Sequence, residues 1–167
     1  MGYEEDGTSL PSNVTRIVRA LKHRDDNGIS QIAFYQRGVG TDSDDEDKIW
    51  GGFTGDDISE HIREAYAFLA NNFDPETQAQ LDDPSKPRDD IVLLGFSRGA
   101  YTARCISDLV STIGLLTKIG MESFGYIFED WKNQDMPGKE SKWFESTFRK
   151  KIPFTDHTYV QTLVDVS

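Results

Sequence analysis

The stretch IVLLGFSRGAYTAR, Ile91 to Arg104, decides how the rest of the chain is read. A short, wholly apolar run bounded by turn residues is the mark of a buried strand. It leads straight into Gly95-Phe96-Ser97-Arg98-Gly99, and beyond that Ile106, Leu109, Val110 and Ile113 recur at helical spacing. A strand, a tight corner and a helix are therefore expected in immediate succession. The pentapeptide fits the Gly-x-Ser-x-Gly nucleophile elbow, which holds a serine on a strained turn between a strand and a helix. Glycines two residues to either side have a steric reason, because a side chain at Gly95 or Gly99 is expected to collide with backbone at so sharp a turn. The same residues also suit a tight strand–helix junction in a non-catalytic α/β domain.

Placed at such a corner, the Ser97 hydroxyl lies at a helix N-terminus, where backbone amides and the helix dipole stabilise developing negative charge. The Arg98 amide is the expected oxyanion donor. The Arg98 side chain can either bind an anionic substrate group or pair with one of the many carboxylates. A serine of this kind needs a histidine base and an acid to orient it. The histidines are His23, expected in the first helix, His61, on a helix before the elbow, and His157. Each also reads as an ordinary surface or packing residue. Cys105, the single cysteine, falls inside the helix after the elbow and reads as an inert thiol.

Working outward, Ser12 precedes an apolar stripe at Val14, Ile17, Val18 and Leu21, which predicts a serine-capped first helix. A turn at Asp25 to Gly28 leads to QIAFY, Gln31 to Tyr35, read as a buried strand. The acidic run Thr41 to Lys48 lacks the glycine and glutamate of a calcium loop: counted from Asp42, those places hold Asp47 and Phe53. It is read as a solvated loop. Asp56 or Asp57 is the expected cap of a helix carrying Ile58, Ile62, Ala65, Tyr66, Leu69 and Phe73 on one face. Asp74 to Asp90, with three prolines, reads as a surface loop.

Two amphipathic segments follow, one around Phe124, Ile127, Phe128 and Trp131, the other around Trp143, Phe144 and Phe148. Both read either as core-packing helices or as parts of a lid, the second having basic residues suited to a lipid surface. TYVQTLVDV closes the chain as a strand. The alternation of helices and strands predicts a three-layer α/β domain with a mainly parallel sheet.

The 167 residues suit one domain, and 37% hydrophobic content is enough to bury a core. With 29 acidic against 18 basic residues the net charge is −11, which argues against nucleic acid as a partner. No apolar run approaches the roughly 20 residues that span a bilayer, and Met1 to Gly7 lacks the pattern of a signal peptide, so a cytoplasmic chain is expected. One cysteine excludes an internal disulfide.

GFSRGAYTAR, together with GVGT (from Gly38), the GG-F-x-G element (from Gly51) and AYAFLANNF (from Ala65), resembles the α/β-hydrolase domain family that includes the catalytic domain of type VI secretion phospholipase effectors. The similarity runs from about Asp6 through Leu116. It implies a Ser-Asp-His hydrolase of lipase or esterase type, with phospholipid esters as the substrate class and no cofactor or metal. Ser97 is the implied nucleophile. Asp6-Gly7-Thr8 matches the family's Asp-Gly-Thr, which puts Gly7 or Thr8 near the oxyanion pocket. The family's acid follows a strand, and TLVDVS offers Asp165 at the comparable place, with the histidine further on in the family's order. At about 30 residues per βα unit, the chain accommodates roughly five units. It is therefore expected to be the N-terminal part of an α/β-hydrolase domain, with an incomplete sheet, ending before the catalytic histidine. The competing expectation is a non-catalytic remnant or interaction module on the same topology.

Overall fold

A computed structural model describes residues 11–37, 55–73, 83, 85, 89–134 and 160–162. They form helices α1 (Asn13–Ala20), α2 (Gly55–Asn72) and α3 (Arg98–Ile113), strand β1 (Leu115–Leu116), helices α4 (Lys118–Met121) and α5 (Phe124–Asn133), and strand β2 (Val160–Thr162). The chain divides into two compact units, one of Met1–Phe53 with Leu94–Tyr101, the other of Thr54–Leu93 with Thr102–Ser167.

In the first unit, α1 starts where the sequence requires it. The Ser12 hydroxyl accepts from the Thr15 amide at 3.2 Å, satisfying one of the orphan donors of the first turn. The helix ends at Ala20, so His23 lies in the bend beyond it and not in the helix. Asp25 organises the following turn: its carboxylate accepts from the amides of Asn27 at 2.9 Å and Ile29 at 2.7 Å. Gly28 supplies the positive φ, +84°, that this turn needs. Thr15 Oγ1 and the Tyr35 hydroxyl are hydrogen-bonded at 2.8 Å, tying α1 to the extended segment after the turn. QIAFY is not the buried strand expected: Ile32, Phe34 and Tyr35 are all exposed. A strand is buried by its neighbours in a sheet, and among the described residues this segment has no ladder partner.

The core lies in the second unit. On α2, Ile62, Ala65, Tyr66 and Ala70 are buried, with Ile58, Leu69 and Phe73 packed against them, as the apolar spacing predicts. The helix begins at Gly55, one residue ahead of Asp56, so both candidate caps fall within its first turn. On α3, Ile106, Leu109, Val110 and Ile113 face the same core. The aromatic face of α5 completes it. Tyr66 stacks on Phe124 with ring centroids 4.6 Å apart, and Phe124, Phe128 and Trp131 continue at 5.8 and 5.4 Å. The apolar face of α5 is thus spent on the core, which settles the packing reading for that segment over the lid reading. Arg63 on α2 sits 4.4 Å above the Phe128 ring and pairs with Glu129, joining α2 to the outer side of α5.

Gly114, in the left-handed region at φ +73°, stops α3 and lets its amide bond the Val110 carbonyl at 2.8 Å. The wholly buried β1 follows at once and pairs antiparallel with β2, Leu115 opposite Thr162 and Leu116 opposite Val160. The Tyr66 hydroxyl reaches into this corner. It donates to the Gly114 carbonyl at 2.8 Å and accepts from the Leu116 amide at 3.1 Å. Burial holds the phenol well above its ordinary pKa, the Leu116 hydrogen bond opposing that rise in part.

The described residues are mostly helical, and the ladder they contain is antiparallel rather than the mainly parallel sheet expected. Ile91 to Phe96 departs from expectation in a related way. Ile91 and Leu93 pack on the helical core, whereas Val92 (76%), Leu94 (60%) and Phe96 (82%) are exposed. Alternate residues of an extended segment point to opposite sides, and here one side alone is covered by described residues.

Tyr66→Phe removes the buried hydrogen bonds to Gly114 O and from Leu116 N, and urea unfolding at neutral pH is expected to show a loss of about 1–3 kcal/mol. Because the phenol is held protonated in the fold, its contribution is complete below the unfolded value of about 10 and is lost as pH rises above it. The gap between parent and Tyr66→Phe should narrow accordingly in alkaline urea titrations.

Candidate active site

Ser97 stands at the corner between the extended segment and α3. The Gly99 amide donates to the Phe96 carbonyl at 2.9 Å, closing a tight turn with Ser97 inside it. The Ser97 carbonyl then accepts from Ala100 N at 3.0 Å and Tyr101 N at 3.4 Å, so the helix starts on the serine's own backbone. To serve both turns Ser97 takes φ +54°, the one positive φ of a non-glycine among the described residues. That region is uncommon for a residue bearing a Cβ and costs on the order of 1–3 kcal/mol. The residue is exposed.

The flanking glycines are not equivalent. A Cβ on Gly95 would lie 2.5 Å from Ala100 N and closer still to the Gly99 carbonyl. Backbone on both sides leaves nothing able to yield. A Cβ on Gly99 would meet nothing within 4 Å, which corrects the expectation of a collision there. The approach is asymmetric: helix backbone comes down over Gly95, while Gly99, already on the helix, points its α-hydrogen into open space.

Arg98 is the first residue of α3 and is half-buried. The amides of Gly99, Ala100 and Tyr101 are engaged by the carbonyls of Phe96 and Ser97. Arg104 is exposed further along the helix, and Cys105 is half-buried within it. Of the histidines, His23 is exposed after α1 and His61 is half-buried within α2. Among the described residues no hydrogen bond joins Ser97 Oγ to a histidine or a carboxylate. Asp165, Gly7, Thr8 and His157 lie outside the described residues, as do the acidic run Thr41 to Lys48 and the second amphipathic segment around Trp143. Among the described residues no group of three His, Cys, Asp or Glu side chains is placed to hold a metal ion.

Two features escaped the sequence reading. The Tyr66 hydroxyl gave no signal beyond an apolar-face position, and β1 is too short for periodicity to reveal. The Gly114 that follows Ile113, with Leu115 and Leu116 directly after, was the available cue.

The corner thus presents an exposed serine at positive φ opening a helix, between two glycines of which only Gly95 has backbone where a Cβ would sit. The family described as "T6SS, Phospholipase effector Tle1-like, catalytic domain" matches residues 2–165, and the chain belongs to it. The Saccharomyces cerevisiae protein named "Uncharacterized protein YEL023C" is 26% identical over 153 residues, covering 81% of this chain and 20% of its own. The chain thus spans about a fifth of the length of that curated relative. No solved structure matches the chain. No helix among the described residues is long and apolar enough to cross a membrane.

The two glycines provide a direct check. Gly95→Ala is expected to disrupt the corner, lowering the melting temperature or preventing soluble expression. Gly99→Ala, in an open helical position, should be neutral or stabilise the fold by about 0.4–1 kcal/mol in the same thermal melts.

Proposed function

We propose that the chain carries the nucleophile of a lipase-type serine hydrolase that cleaves phospholipid or related esters on an α/β-hydrolase scaffold. The observation that carries this reading is the exposed Ser97 held at φ +54° at the head of α3. Strain of this kind is kept where function requires it, and a bare structural junction would be served better by glycine. Membership of a phospholipase effector catalytic domain family supplies the substrate class.

In this mechanism Ser97 Oγ attacks the ester carbonyl while its proton passes to a histidine, which the family's chain order places after the acid. The tetrahedral oxyanion is stabilised by the Arg98 amide at the helix N-terminus, with Gly7 or Thr8 contributing from the N-terminal segment. Collapse of the intermediate expels the alcohol, which takes the proton back from the histidine. Water activated by the same base then releases the acid and regenerates Ser97. Asp165 is assigned as the carboxylate that orients the histidine. No metal or organic cofactor takes part in these steps. The alternative is a non-catalytic module that keeps the topology.

A serine-directed fluorophosphonate should label Ser97 in a polypeptide that carries this domain together with the histidine after the acid, and Ser97→Ala should abolish that labelling. Hydrolysis of a phospholipid ester in vesicles by that polypeptide should fall by at least about a thousandfold in the same variant. Labelling that is absent in the parent, or that persists in Ser97→Ala, overturns the catalytic reading and favours the non-catalytic module.

A further inference from the structure

We infer that the outward side of α1 docks the chain on an anionic phospholipid surface, the choice of phospholipid resting on the reading above. Charge points there first. From Pro11 to Arg24 the sequence carries Arg16, Arg19, Lys22 and Arg24 and no acidic residue, in a chain whose net charge is −11. A basic amphipathic helix reads as a membrane-surface segment. Asp25 and Asp26 follow at once, but Asp25 is engaged by the Asn27 and Ile29 amides and Asp26 by Lys22. Arg24 donates to the Gly28 carbonyl, which leaves its charge uncompensated. Among the described residues neither the Arg16 nor the Arg19 guanidinium has a partner.

Exposure then shows which side of α1 faces outward. At about 100° per residue, Val14, Thr15 and Val18 share one side; all three are half-buried, and Thr15 is hydrogen-bonded to Tyr35. The remaining arc holds Arg19, Arg16, Ala20, Ile17 and the C-cap Leu21, in that order round the helix, and all five are exposed. Ile17 is 46% and Leu21 47% accessible, so the two largest apolar side chains of α1 and its cap are turned to solvent on the side that carries the two arginines. A helix that only packed on its own domain would turn its isoleucine and leucine inward. A free polyanion would match the arginines and leave Ile17 and Leu21 in water. A bilayer interface takes both, with the guanidinium groups at the phosphates and the apolar side chains at the acyl boundary.

The test is co-sedimentation of the full chain with vesicles in a Ser97→Ala background, which reads binding without hydrolysis. Vesicles of phosphatidylcholine containing about a third phosphatidylglycerol should bind the chain at least about thirtyfold more tightly than phosphatidylcholine alone, and the preference should fade as salt rises. Arg16→Gln with Arg19→Gln should weaken binding to the anionic vesicles about thirtyfold. Ile17→Ser with Leu21→Ser should weaken it at least about tenfold. All four positions are exposed, so circular dichroism should report an unchanged fold in both variants. Arg104→Gln with Lys132→Gln removes the same two charges from exposed positions of the other unit and should change binding by less than about threefold.

Failure to bind anionic vesicles, equal binding to both kinds of vesicle, or an equal loss in the Arg104–Lys132 variant overturns the inference. So does binding that depends on Arg16 and Arg19 but is indifferent to Ile17 and Leu21 and is matched on a soluble polyphosphate, which would make the helix a polyanion site and not a lipid-docking face. Ser97 plays no part in these measurements. Vesicle binding without fluorophosphonate labelling would therefore sink the hydrolase reading alone, and labelling without vesicle binding would sink the docking role of α1 alone.

Discussion

A phenol oxygen sealed inside the protein must find hydrogen-bond partners there or destabilise the fold, and Tyr66 finds both in one turn of chain. That requirement connects features that otherwise look unrelated. Gly114 must adopt a left-handed conformation so that α3 stops where its carbonyl meets the hydroxyl, and β1 must begin immediately so that the Leu116 amide arrives from the other side. The aromatic ring of Tyr66 meanwhile stacks on Phe124 and draws α5 against α2. One side chain thereby sets the end of a helix, the start of a strand and the seating of a second helix.

The corner at Ser97 obeys the opposite logic. There the backbone accepts an unfavourable conformation while the side chain stays in solvent, and the first hydrogen bonds of α3 use the Ser97 carbonyl. A hydroxyl on a residue whose backbone is held between the Gly99–Phe96 turn and the first bonds of a helix has little freedom to drift. Pre-positioning of this kind is what a serine nucleophile requires, since most of its rate advantage comes from geometry fixed before the substrate arrives.

The helical part of the molecule was legible in the sequence because a helix writes its buried face into local spacing. Ile62, Ala65 and Tyr66 on α2, the four apolar residues of α3, and Phe124, Ile127, Phe128 and Trp131 on α5 all fall where periodicity puts them, and the Ser12 cap follows from one side chain and one amide. Extended segments carry no such local record. Whether QIAFY or the second face of IVLLGF is covered depends on chain far away in sequence, so apolar composition alone overstated their burial among the described residues. The corner was legible as a motif, yet its steric asymmetry was not: the pattern treats Gly95 and Gly99 alike, while helix backbone comes down over only one of them. The Tyr66 hydroxyl left no mark at all, since an apolar face accepts tyrosine and phenylalanine equally.

The positive φ of Ser97 also bears on how this sequence can change. Glycine occupies that region without penalty, so a drift from serine to glycine at this one position would relax the backbone and raise stability while deleting the hydroxyl. Selection for folding alone would push residue 97 toward glycine. A serine that remains there is carried against the conformational preference of its own backbone.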